Sequence, residues 1–359
     1  MKKYRKIKVV EIIPTLKTGG AENVTKFICK YLDRSKFDLS LFCLYDTPKH
    51  NWPKNIDIIF FSKKRGFDPI LTWRLRKKLL EKNPDIVHNH TLSSLLYLIP
   101  AILLAGKKKL VHTIHNDLRF YLGPLFWTII FYLFKIYTVN LSSSLNIFLQ
   151  KSPRNINIAN GIELKKYLSV KSGNSSGKNI LSIGRFENQK NPILLVRVFS
   201  NILRYDKNFH LTMVGTGSLE KRVRKEIKRL NLTKKIILVN QKVEPRIYFQ
   251  FADYLMLTSR WEGMPLTIIE AMAAGLIVFT TPVGAIKDLI SSGKNGFIFK
   301  DRSPREMAKF FINRSKKDIF ISRCKKKAIK SSLNFSSKAM VTNYEKFFRT
   351  ITTNNNVNL

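Results

Sequence analysis

The sequence predicts an α/β protein built from two Rossmann-like, doubly wound domains. Three observations carry this. Short β-branched runs alternate with helix-periodic runs along nearly the whole chain, the rhythm of βαβ units and a parallel sheet. The rhythm breaks once, at the small, polar SVKSGNSSGK (Ser169–Lys178), and then restarts. A chain of 359 residues also exceeds what a single core usually serves.

Each half can be read in order. KIKVVEII (Lys6–Ile13) is a strand closed by Pro14. Gly19-Gly20 then turns the chain into AENVTKFICKYL (Ala21–Leu32), whose apolar residues recur at helical spacing. FDLSLFCL, IDIIFF, DIVHNH and LVHTIH (Leu110–His115) follow as strands. After the break, NILSIG, HLTMVG, KIILVN, YLMLTS and IVFTT (Ile277–Thr281) are strands, with NPILLVRVFSNIL and SLEKRVRKEIKRLNL as helices between them. The expected boundaries are 1–168 for the first domain, 169–178 for the linker and 179–335 for the second. The end, 352–359, reads as a disordered tail.

Charge narrows the partners. Lys and Arg number 64 against 24 Asp and Glu, a net charge of +40. Such a field favours nucleic acid, anionic lipid headgroups or phosphorylated substrates. The basic residues are spread along the chain, so no nucleic-acid-binding arm stands out. Drift of composition toward Lys is the plain alternative. Cys29, Cys43 and Cys324 form no CxxC pair, which fits a reducing compartment without structural zinc. The N-terminal apolar run is short and contains Glu11, unlike a signal peptide. No stretch reaches the ~18 apolar residues of a membrane span. Leu92–Ala105 and Phe120–Phe134 come partway. The second is aromatic-rich and flanked by Arg119 and Lys135. Each is either a buried helix or a face that dips into a membrane surface.

Ligands of open α/β sheets bind beyond the carboxyl ends of the strands. The candidates are therefore the residues just after each strand. In SRWEGMPLTIIEAMAAG (Ser259–Gly275), Glu262 falls in a loop and Glu270 in the following helix. Pro265 suits the first helical position, and Gly275 the stop. The free N–H groups at that helix start favour a diphosphate. Glu262 would then orient a hexose and Glu270 a ribose. Arg185 and Lys190, in IGRFENQKN, are expected to converge on the same diphosphate. Gly215 permits close backbone approach to a ligand. Gly19 and Gly20 form either a tight turn or a phosphate contact. His115, at a strand end, is placed to touch the sugar or the acceptor. His88 and His90 share a strand face, but a metal would need a third ligand that the sequence does not supply, and no DxD pair occurs.

In this order, EGMPLTIIEAMAAG, LKTGGAENV, VHTIH, ANGIE, SIGRFENQKN, MVGTG and PVGAIKDLISSGKNGFIF resemble the GT-B retaining glycosyltransferases of family 4, over nearly the whole chain. The first looks like that family's E-x7-E motif. The resemblance implies two domains facing a central cleft, with a last helix, 336–351, crossing back to the acceptor domain. It implies Arg185 and Lys190 on the donor diphosphate. Glu262 with the backbone of Gly263, Met264, Pro265 and Leu266 would hold sugar and phosphate, and Glu270 the ribose. His115 would lie beside the reacting sugar, so His115 and Glu262 are the expected catalytic residues. The implied activity is retaining transfer of a hexosyl-type sugar, without metal, by front-face displacement. The donor is a nucleotide-diphospho-sugar, UDP-sugar ahead of GDP-sugar. The acceptor is a glycan or polyprenyl-linked glycan of bacterial surface polysaccharide (O-antigen, capsule or lipopolysaccharide). The expected location is cytoplasmic, peripheral on the anionic inner face of the membrane, with no nucleic-acid partner. Two positions depart from the pattern: Gln241 stands where Gly is usual, which puts the base pocket in doubt, and Asp288 where Glu is common. The alternatives are a non-catalytic sugar-nucleotide-binding protein and a basic nucleic-acid-binding protein.

Overall fold

A computed structural model describes residues 5–17, 19–46, 52–106, 108–120, 123–170, 177–240, 246–316 and 318–353. The chain divides into two compact units, one of residues 1–161 and 337–359, the other of residues 162–336.

In the first unit the chain runs β1 (Ile7–Ile13), α1 (Gly20–Tyr31), β2 (Phe37–Cys43), β3 (Asp57–Phe60), α2 (Ile70–Lys82), β4 (Ile86–Asn89), α3 (Leu92–Leu104), β5 (Lys109–Ile114), α4 (Pro124–Leu133), β6 (Tyr137–Asn140) and β7 (Asn155–Asn157). The strands form one sheet in the order β3-β2-β1-β4-β5-β6-β7, parallel throughout. The second unit runs α5 (Leu164–Leu168), β8 (Asn179–Ile183), α6 (Pro192–Tyr205), β9 (His210–Val214), α7 (Glu220–Arg229), β10 (Ile236–Val239), α8 (Arg246–Phe249), β11 (Tyr254–Leu257), α9 (Leu266–Ala273), β12 (Ile277–Thr280), α10 (Ile286–Leu289), β13 (Phe297–Ile298), α11 (Pro304–Ser315) and α12 (Asp318–Ser332). Its sheet, β10-β9-β8-β11-β12-β13, is also parallel. The last helix, α13 (Ser337–Thr353), belongs to the first unit.

Both sheets reverse their winding at one place, between β1 and β4 and between β8 and β11. Loops leaving those strands part in opposite directions and open a crevice at the strands' carboxyl ends. The apolar strands are buried on both faces, as parallel strands must be. In the first unit α1 and α13 cover one face, α13 through Met340, Val341, Tyr344, Phe347, Phe348 and Ile351 at helical spacing. Helices α2, α3 and α4 cover the other. In the second unit α6, α7 and α11 pack on a core rich in Phe: Phe199, Phe209, Phe279, Phe297, Phe299 and Phe311.

Several expectations meet the structure here. The division between units falls at Gly161–Ile162, ahead of the stretch expected as linker. Helix α5 packs on α9, with Tyr167 edge-on to Phe249, which ties those residues to the second unit. Residues 171–176 of the expected linker, and 354–359 of the expected tail, lie outside the described residues, as does Gln241. Pro265 does not open its helix: it precedes Leu266 in extended backbone, φ −71° and ψ 115°. The ring's fixed φ fits both conformations, and the Pro265 carbonyl is used to accept the Ile268 N–H at 3.2 Å. The two apolar stretches are α3 and α4, half-buried and not fully buried. Helix α4 turns Trp127 and Phe131 inward and leaves Leu125, Phe126, Ile129, Tyr132 and Leu133 exposed. Among the described residues no helix is long and apolar enough to cross a membrane.

Candidate active site

In the second unit two loops flank the reversal point. One follows β8 and carries Arg185 and Lys190; the other follows β11 and carries Glu262. They are laced together. Arg260 donates its backbone N–H to the Gln189 carbonyl at 2.7 Å, and the Gln189 amide donates to the Trp261 carbonyl at 3.2 Å. The Thr258 hydroxyl donates to the Asn191 carbonyl at 3.0 Å. Lys190 then donates to Glu262 Oε1 at 2.5 Å, and Ser259 donates to the same oxygen at 2.6 Å. Among the described residues Glu262 Oε2 carries no hydrogen bond. The carboxylate is buried beside the start of α9, whose first N–H groups have no partner in their own helix.

Lys190 and Arg185, both expected at the diphosphate, have different surroundings. The Lys190 stem lies 3.5 Å from where a Cβ would sit on Gly184, and its ammonium is held by Glu262. Arg185 is exposed, and its charge reaches Glu187, helping the Ser218 hydrogen bonds to lower that carboxyl's pKa. Glu270 is half-buried and accepts the Tyr167 hydroxyl at 2.9 Å.

The glycines divide sharply. A Cβ on Gly215 would meet the Gly184 carbonyl oxygen at 2.0 Å, so the close approach here is between two turns of the protein itself. Gly284, at φ +58°, sits with its would-be Cβ 2.2 Å from the Glu262 carbonyl oxygen. That contact, with the Ala285 N–H donated to Gly263 O at 2.8 Å, clamps the Glu262 loop from behind. By contrast Gly20 has open space, and Gly19 is extended (φ −169°), a Cβ there meeting the carboxylate of Glu22.

In the first unit, buried polar groups converge behind the ends of β1, β4 and β5. Glu11 is fully buried on β1. It faces His88 Nδ1 at 2.9 Å through one oxygen and His90 Nε2 at 2.7 Å through the other. His88 Nε2 meets the Thr113 hydroxyl at 2.8 Å, which meets the Tyr344 hydroxyl of α13 at 2.9 Å. His90 Nδ1 meets His115 Nε2 at 2.9 Å. Burial raises the Glu11 carboxyl, but His88 and His90 outweigh it and hold it at about 2. Burial and the neighbouring His88 hold His90 at about 4. Burial, with His90 and His112 beside it, pushes His115 well below the usual imidazole range. Glu11 is thus the third group beside His88 and His90 that the sequence did not reveal. Among the described residues these three are the one set of potential ligating side chains within reach of one another. Their facing atoms are already matched in hydrogen bonds. The available signal was a lone carboxylate inside an apolar strand, which burial obliges to be paired. Ser259, Gln189, Tyr167 and Gly284 carried no comparable signal.

Comparison with known proteins accords with this architecture. The family described as Glycosyl transferases group 1 matches residues 167–331, and Glycosyltransferase Family 4 matches residues 18–153. The chain is 24% identical over 332 residues to the UDP-Gal:α-D-GlcNAc-diphosphoundecaprenol α-1,3-galactosyltransferase of Escherichia coli, covering 83% of this chain and 85% of that one. It is 32% identical over 104 residues, 29% of this chain and 28% of the other, to the N-acetylgalactosamine-N,N'-diacetylbacillosaminyl-diphospho-undecaprenol 4-α-N-acetylgalactosaminyltransferase of Campylobacter jejuni. Among solved structures, HepE of Anabaena in complex with UDP and glucose superposes with a TM-score of 0.81 at 17% identity, over 96% of this chain and 99% of that one.

Proposed function

Because the chain belongs to the GT-B glycosyltransferases of family 4, we propose that it moves a hexosyl-type sugar from a UDP-sugar to a polyprenyl-diphosphate-linked glycan, with retention and without a metal. The observation that carries this reading is the Lys190–Glu262–Ser259 cluster at the start of α9. Glu262 is held by two donors on one oxygen, which leaves the other to accept a sugar hydroxyl. The N–H groups of α9 supply fixed positive ends for the diphosphate. Arg185, exposed on the loop after β8, would add the charge that a departing UDP needs. Lys190 serves twice, orienting Glu262 and neutralising the leaving group. A leaving-group oxygen takes the acceptor proton, so the two bonds change on one face of the sugar. Glu270 keeps its role toward the ribose, oriented by Tyr167.

The acceptor's class is supported by two relatives whose names specify diphosphoundecaprenol-linked sugars, and surface polysaccharide is the setting this implies. The α4 face supports the same reading. Leu125, Phe126, Ile129, Tyr132, Leu133 and Phe134 are exposed, beside the basic Arg119 and Lys135. An apolar face with basic neighbours suits an anionic membrane surface, where a lipid-linked acceptor resides.

The decisive experiment incubates the protein with radiolabelled UDP-sugars, with GDP-sugars as controls, and a synthetic polyprenyl-diphosphate sugar. Label should pass to the lipid-linked product, with the anomeric configuration kept. Removing one electrostatic partner, as in Arg185→Ala or Glu262→Ala, should cost roughly 10²–10³ in rate. Wild-type turnover in both variants would sink the site assignment. Co-sedimentation with anionic liposomes tests the membrane face: Leu125→Ser/Leu133→Ser should abolish it at low salt.

A further inference from the structure

Glu11 and His90 lie outside the donor site, yet they form a chain that ends on His115. Its direction follows from bonding rules together with the charge state that burial imposes. A carboxylate can only accept, so His90 must present an N–H to Glu11 through Nε2. Burial and His88 keep His90 uncharged at neutral pH, so its Nδ1 is bare. His115 must then donate from Nε2 into His90 Nδ1. His115 is likewise uncharged, so its own Nδ1 is a bare acceptor. Burial falls along the chain: Glu11 is 0% exposed and His90 2%, whereas His115 is half-buried at the carboxyl end of β5. The alternative, in which this is generic core polarity, leaves unexplained why a charged carboxylate sits at the inner end. A neutral Asn or Gln would satisfy the two histidines without a buried charge.

We propose that Glu11 and His90 are positioning residues that lock His115 in one tautomer, with Nε2 protonated and Nδ1 presented as the acceptor at the strand tip. A fixed acceptor there can take a hydrogen bond from a sugar or acceptor hydroxyl without first exchanging its proton. The part about substrate rests on the function proposed above; the tautomer does not.

The test separates the two. Protein labelled with ¹⁵N-histidine is examined at pH 7.5 by two-bond ¹H–¹⁵N correlation, with His115→Gln identifying the His115 signals. The expected spectrum shows His115 with a protonated Nε2 and a bare Nδ1; a protonated Nδ1 overturns the proposal. In Glu11→Leu and in His90→Phe the acceptor that orients the chain is lost. His115 should then show mixed tautomers, with kcat reduced about tenfold or more and the donor KM unchanged. If Glu11→Leu does not fold by circular dichroism, His90→Phe carries the same reading, since it keeps the ring volume. A single unchanged tautomer in a folded variant, or an altered tautomer with unchanged kcat, overturns the positioning role. Absence of transfer by the wild-type protein would sink the proposed function and leave the spectrum to decide the chain.

Discussion

Lys190 and Glu262 meet at 2.5 Å across 72 positions of sequence, with side chains 22% and 5% exposed. The pair joins the loops on either side of the point where the second sheet reverses its winding. It is enclosed enough that removing one partner strands the other in poor solvent.

The ion pair should therefore show strong coupling. Lys190→Met and Glu262→Gln are each expected to lower stability by roughly 1–3 kcal/mol, the lysine change more, since it leaves a buried carboxylate unpaired. The double variant should recover part of the loss, with a coupling of about 1–2 kcal/mol in urea unfolding. Strictly additive losses would show that the two side chains do not sense each other.

Gly284 should be intolerant of change for a reason unrelated to ligand. Its φ of +58° disfavours an L residue by about 1–2 kcal/mol, and a Cβ would press on the Glu262 carbonyl oxygen. Gly293, at φ +83° with nothing near its would-be Cβ, isolates the backbone part alone. Gly284→Ala should lose markedly more thermal stability than Gly293→Ala; equal losses would show that the loop simply moves aside.

Acid should unfold the first unit early. His90 is held at about 4 and His112 at about 3, mainly by burial, below the unfolded value near 6.5. Between those values the unfolded chain binds more protons, so stability is fully present above about pH 6.5 and falls as pH drops toward 4. The His90 shift alone corresponds to on the order of 3 kcal/mol, shared within a coupled cluster. Glu11, held at about 2, loses its contribution only below pH 4.5. Urea midpoints at pH 7.5, 6 and 5 measure this; a flat profile above pH 5 would contradict it.

Tyr167→Phe removes the hydroxyl that Glu270 accepts at 2.9 Å. Loss of one such bond costs about 1 kcal/mol. If Glu270 holds the ribose, the donor KM should rise severalfold with kcat little changed. An unchanged KM would release Glu270 from that role.

Much of the fold was legible because its signals are local. IKVVEII, IILV and IVFT are β-branched strands between turn residues, and α13 repeats its apolar stripe over three turns. Strands β7 and β13 went unread, being only three and two residues long, and β6 (YTVN) went unread because two of its four residues are polar. Pro265 was misplaced by one position because its ring fits a cap as well as a first turn.

The class of fold, the order of the motifs and the loops that carry the candidate residues could be read along the chain, since each depends on residues near one another. The tertiary structure alone decided which side chains meet. Lys190 went to Glu262, Tyr167 to Glu270, and Glu11 to two histidines 77 and 79 positions away. A buried charge takes whatever partner the crossing of strands brings within about 3 Å, and sequence spacing does not encode that distance.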